Sequence, residues 1–239
     1  MRVGATGLVY DGVDLSETFQ IVDMNMPVLP KREAVTHDLA QRPGSYFAGL
    51  KVGTREIRVK LRLDAETRDP MGIYRAWLEA SATINKSEPR PLWLNDHRMC
   101  HALLVGETPI EDEAYYGVVE LNFVCFDPYL YGPTRSVAVE DGEAASFHVG
   151  GSVEAWPTLE LEASATTVKV TDVSTGQYVL LGDVEVGATV TVDMERQVCT
   201  KGTGYAPYDL DSDFFAVSGD AQVKVEGASG TLSYVERWL

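Results

Sequence analysis

Apolar and polar positions alternate most cleanly in KVGTREIRVKLRLD, where Ile57, Val59, Leu61 and Leu63 take one side and Glu56, Arg58, Lys60 and Arg62 the other. A period of two predicts a half-buried strand. Its largely basic outer face suits either a solvated surface that limits edge pairing or contact with an acidic partner. GLVYDGVDL sets Asp11-Gly12 between two short apolar runs, a hairpin signal. PVLPKREAVTHDLAQRPGSYFAG shows no period, and its prolines and the turn at 42–45 predict a long irregular loop or arm over 25–49. Helical spacing occurs in DPMGIYRAWLEASATINK. Asp69 is placed to cap it and Pro70 to open it, with Ile73, Tyr74, Trp77, Leu78 and Ile84 facing a sheet. The stretch from Pro89 to Phe126 reads as three strands, with Asn95-Asp96 at one turn and Glu111-Asp112-Glu113 in a solvated loop before Tyr115.

NFVCFDPYLYGPTR interrupts this pattern twice. Proline cannot donate to a sheet ladder, so the strand ending in Cys125-Phe126 stops at Asp127-Pro128. Gly132-Pro133 is expected to break the chain again and redirect it, with Tyr129 and Tyr131 covering the junction as amphipathic side chains. These six residues define the junction motif, which divides residues 1–132 from 133–239. Beyond it, TLELEA, TTVKVTDV, QYVLLG, ATVTVDM, QVCTKG, AQVKVEG and TLSYVERWL recur between turn residues, which predicts an antiparallel β-sandwich. The fold class is therefore mainly β, a β-rich first domain with one helix and a second all-β domain. The pattern leaves open whether the final strand, 231–239, stays in the sandwich or returns to the first domain.

Charge narrows the function. The net charge is −16; residues 1–132 carry 14 basic and 19 acidic side chains, residues 133–239 carry 6 and 17. That argues against nucleic-acid binding by the second half. Cys100, Cys125 and Cys199 match no CxxC spacing and read as scattered reduced thiols. No run reaches the roughly 20 apolar residues of a membrane helix, and the start has no signal-peptide core, so membrane insertion is not expected.

Candidate chemistry is sparse. His97, Cys100 and His101 cluster potential zinc ligands, but neither His37 nor His148 completes a second pair. Asp209, Asp211 and Asp213 open like a calcium loop, yet lack its glycine and distal glutamate. Glu160 and Glu162 are the nearest thing to a hydrolase's paired carboxylates, though such pairs are defined in space. Trp156, Tyr205, Tyr208 and Trp238 are candidate sugar-stacking aromatics that equally suit core or turn-covering roles. No catalytic, cofactor or metal residue is assigned, no cofactor is expected, and the chain is not read as an enzyme.

The order of motifs carries a resemblance. GLVYDGVDLSETF, RPGSYFAGLKVGTREIRVKLRL, the helix at 69–86, PLWLNDHRMCHALLVG and NFVCFDPYLYG resemble the first domain of the distal tail proteins of long-tailed, non-contractile phages. AWPTLELEA, LLGDVEVGATVTVDMERQVCTKG, FFAVSGDAQVKVEG and YVERWL resemble their galectin-like sandwich. The resemblance implies a structural virion protein of the tail tip, assembled in the host cytoplasm. Its first domains would form a homo-hexameric ring, with the galectin-like domains projecting outward and the arm at 25–49 placed to wrap a neighbour. That ring would join the tail tube protein to the tail-tip hub, a tail-associated protein and receptor-binding proteins, with DNA only passing through the lumen. The alternative is a carbohydrate-binding adhesion module of the tail tip; the sandwich lacks the large insertion that carries sugar-binding modules in some relatives.

Overall fold

The computed structural model describes residues 7–17, 19–40, 43–63, 70–94, 98–108, 110–111, 117–202 and 204–239. Their contacts divide the chain into two compact units, Met1–Leu130 with Leu239, and Tyr131–Trp238. The architecture is mainly β, its strand pairs antiparallel, with one α-helix among the described residues.

In the first unit the strands are β1 (Val9–Tyr10), β2 (Val13–Asp14), β3 (Phe19–Asn25), β4 (Arg32–Asp38), β5 (Ser45–Val52) and β6 (Arg55–Leu63). Helix α1 (Pro70–Ile84) follows, then β7 (Arg90–Trp93), β8 (Met99–Leu104), β9 (Ile110–Glu111) and β10 (Val118–Cys125). The β1–β2 turn is the expected one. Asp11 and Gly12 both adopt positive φ, 50° and 82°, as a type I′ hairpin requires. Strands run β8-β10-β6-β3 across the main sheet. The alternation in β6 is realised: Ile57, Val59 and Leu61 are fully buried, aligned with Phe123, Leu121 and Val119 of β10.

Three local expectations change. On α1, Ile73, Trp77 and Ile84 are buried, with Trp77 stacked on Phe19 at 4.4 Å. Tyr74 and Leu78 are half exposed, because each lies one residue, about a quarter-turn, past a core position. Pro70 opens the helix as expected, and Glu111, expected in a loop, pairs with Val118 in β9, while Asp69, Asn95, Asp96 and residues 112–116 lie outside the described residues. The stretch at 25–49 is not irregular: β4 and β5 pair along their whole length as a two-stranded ribbon.

The second unit contains β11 (Leu130–Val139), β12 (Ala144–Val149), β13 (Thr158–Ala163), β14 (Val168–Asp172), β15 (Tyr178–Leu181) and β16 (Thr189–Asp193). It continues with β17 (Val198–Lys201), β18 (Gly204–Tyr205), β19 (Gly219–Glu226) and β20 (Ala228–Trp238). One sheet runs β18-β17-β16-β13-β20-β11, the other β12-β19-β14-β15. Leu159, Leu161, Val190, Val192 and Leu232 from the first pack in one core with Val168, Val170, Val179, Val223 and Val225 from the second. The final strand pairs with β13 from Ala228 to Ser233 and lies in this unit up to Trp238. Gly227, between β19 and β20, has φ 78°, and a Cβ there would meet the Thr167 carbonyl at 2.1 Å, so glycine is required.

Candidate functional site

The ribbon β4–β5 is the most unusual surface of the first unit. Every residue of β4 is exposed, and so is β5 apart from the half-buried Gly49. The register aligns Arg32 with Val52, Ala34 with Leu50 and Thr36 with Phe47, the slip at Val35/Thr36 absorbing one extra residue of β5. Leu50, Phe47 and Val52 therefore share a face, at 46%, 60% and 37% exposure. Val28 before the ribbon is 90% exposed. A lone two-stranded ribbon is marginal in water. One that also exposes a row of large apolar side chains is a candidate contact surface.

The base of the ribbon is fixed by Arg55. Its guanidinium is almost fully buried, donating from Nη1 to the Pro27 carbonyl at 2.7 Å and from Nε to the Pro128 carbonyl at 2.9 Å. Gly53 N–H donates to the Lys31 carbonyl at 2.7 Å beside it. Cys125 lies directly across the ladder from Arg55, and its Sγ is 3.2 Å from Cys100 Sγ. The hydrogen bond to Cys125, then burial, push the Cys100 thiol up; the bond from Cys100, with help from Arg55, lowers Cys125. The sequence suggested scattered thiols, but the fold brings these two together and leaves Cys199 apart, pushed up to about 12 by burial.

The junction residues sit as follows. Asp127 Oδ1 accepts from Tyr129 N–H at 3.2 Å, closing a local turn, and the Pro128 carbonyl is held by Arg55. Tyr129 is half-buried. Tyr131 borders a cavity of about 200 Å³ with Trp156, Ser233 and Arg237. Gly132 is buried against the Trp238 indole, where a Cβ would stand 3.0 Å from Cζ3. Gly132-Pro133 does not break the chain: both lie inside β11. Proline fits there because its side chain is exposed and a strand tolerates it wherever no ladder bond is asked of its nitrogen.

Arg58 and Lys60 on the outer face of β6 each have a carboxylate partner. Arg58 pairs with Glu56 at 3.3 Å, Lys60 with Glu120 at 3.4 Å, and Arg62 bonds to Gln20. Such exposed pairs add little stability, but they flatten the field of the face.

The remaining candidates disperse. Cys100 is buried and His101 exposed on opposite faces of β8, so the two cannot share a metal, and His97 lies outside the described residues. Asp209 Oδ1 accepts from Asp211 N–H at 3.0 Å, a turn bond, and no metal-ligating trio converges among the described residues. A cavity of about 320 Å³ in the second unit includes Asp172. Burial works to raise that carboxyl, yet the Thr175 and Ser174 hydroxyls and the N–H groups of the same turn hold it below its ordinary range. A carboxylate so committed is no general acid. Trp156 and Trp238 are half-buried, Tyr208 meets Phe214 edge-on at 5.1 Å, and Tyr205 is 85% exposed.

Residues 150–238 match the family described as siphovirus-type tail component, C-terminal domain. No curated protein sequence matches the chain. Among solved structures, the fold is shared with the SPP1 Dit protein (gp 19.1), described as a paradigm of the hub adsorption apparatus in phages infecting Gram-positive hosts. The TM-score is 0.86 at 18% identity, over 98% of this chain and 100% of that one. A more distant likeness is to the phage p2 baseplate in its activated conformation with Sr, at TM-score 0.50 and 8% identity, over 96% and 97% of the two chains. The same baseplate with Ca matches at TM-score 0.50 and 8% identity, over 95% and 93%.

Proposed function

We propose, from the match of residues 150–238 to the siphovirus-type tail component C-terminal domain, that this chain is a ring adaptor of the tail tip. Six copies assemble through their first units into a closed ring at the end of the tail tube and join the tube to the hub and adsorption apparatus. A cyclic assembly of identical chains needs a heterologous contact that closes by rotation. The observation that carries the reading is the exposed ribbon β4–β5, whose apolar row of Phe47, Leu50 and Val52 suits contact with the next copy. The paired charges on β6 are compatible with a lumen that passes DNA without gripping it. The segment 127–133 is part of the proposal as the linker between ring domain and sandwich.

The role is architectural rather than catalytic. Glu160 and Glu162 stand on the outer face of β13 and border none of the cavities described. Antibody raised against the chain and labelled with gold is expected to decorate virions at the tail end away from the head. Label along the whole tube, or on the head, would contradict the assignment.

A further inference from the structure

We propose that the outer face of β16, β17 and β18 is a binding site for a neutral saccharide. Thr191, Thr200 and Tyr205 form one cross-strand row, each directly opposite the next. Asp193 and Val198 form the adjacent row on the same face, since Val190, Val192 and Cys199 point into the core. With Arg196 they line a hollow of about 510 Å³, within the range of small-molecule sites.

The chemistry selects the ligand. Tyr205 is 85% exposed, an aromatic face held on a short edge strand. Beside it, the Thr191 and Thr200 hydroxyls both donate and accept hydrogen bonds. A pyranose matches this arrangement, stacking its C–H face on the ring and turning its hydroxyls to the threonines. An apolar peptide would desolvate the threonines and Asp193 without return. Asp193 and Arg196 pair at 3.8 Å, and Arg196 N–H donates to Asp193 Oδ1 at 2.9 Å. Their charges cancel, so the hollow favours neither anion nor cation, and the acidic chain disfavours polyanions. A single ring in so open a site binds in the millimolar range.

The site stands independently of the ring. It is tested on the full chain by saturation-transfer NMR with glucose, galactose, N-acetylglucosamine and triacetylchitotriose, and with glycerol 3-phosphate as an anionic comparator. At least one of the sugars should receive saturation through its ring C–H protons. Tyr205→Ala should weaken that binding about tenfold, and Thr191→Val with Thr200→Val should reduce it likewise, while Tyr208→Ala leaves it unchanged. Tyr205 packs too little for its loss to unfold the sandwich, which an unchanged melting curve verifies. Silence from all four sugars, undiminished binding by Tyr205→Ala, or preference for glycerol 3-phosphate would overturn the assignment.

Discussion

Phe47→Asp combined with Leu50→Asp is expected to leave the chain folded but unable to assemble. Both side chains lie on one face of the ribbon and are roughly half exposed, so charging them removes little packing from the single subunit. In an interface the same charges would be buried without partners. Two central apolar anchors of this kind together contribute on the order of 3 kcal/mol or more, which raises the dissociation constant more than a hundredfold. Circular dichroism and thermal melting should match the unsubstituted chain, while sedimentation velocity shows the assembly replaced by single subunits. Glu33→Lys, whose side chain lies on the opposite ribbon face and pairs with exposed Lys31, should change assembly far less.

The second large effect is on stability. Arg55→Met keeps length and apolar volume but removes the donors that hold the Pro27 and Pro128 carbonyls. Leaving buried acceptors unpaired, and losing a charge-assisted node, should cost about 3 kcal/mol. A unit of this size would then melt roughly 10 °C lower. The loss should be confined to the first unit's transition in calorimetry. Amide exchange should accelerate first around Pro27 and Val28, because Arg55 ties the entry of the ribbon to the main sheet. Arg55→Lys should recover only part of the loss, since one ammonium cannot span carbonyls from two segments as the planar guanidinium does. An unchanged first-unit transition in Arg55→Met would show that the node is incidental.

What could be read from the chain follows burial. Strand β6 and its partner β10 announce themselves because one face of each is fully buried, so period two is written into their residue types. The core strands of the sandwich do the same. The ribbon β4–β5 hides because both its faces are exposed and nothing forces alternation. β11 and β12 hide for a related reason, as most of their middle positions are exposed or half-exposed.

The buried arginine was legible in principle. Arg55 has the parity of Ile57, Val59 and Leu61, the inward side, although it stands next to the charged outer row. The meeting of Cys100 with Cys125 was not legible, since it depends on how β8 and β10 align across a sequence separation of 25. Tyr205 shows the same limit. Sequence marks it as a candidate stacking residue, but only the row through Thr200 and Thr191 sets it beside the hydroxyls that give that stacking a purpose.

The ring itself is tested most directly by the mass of the particle in solution, measured by light scattering across a wide range of concentration, alone and with the tail tube protein added. The account predicts a species of six chains, about six times 26.2 kDa, that closes and grows no further. A single subunit at every concentration, with the tube protein present, would contradict it, as would an open series of ever larger oligomers.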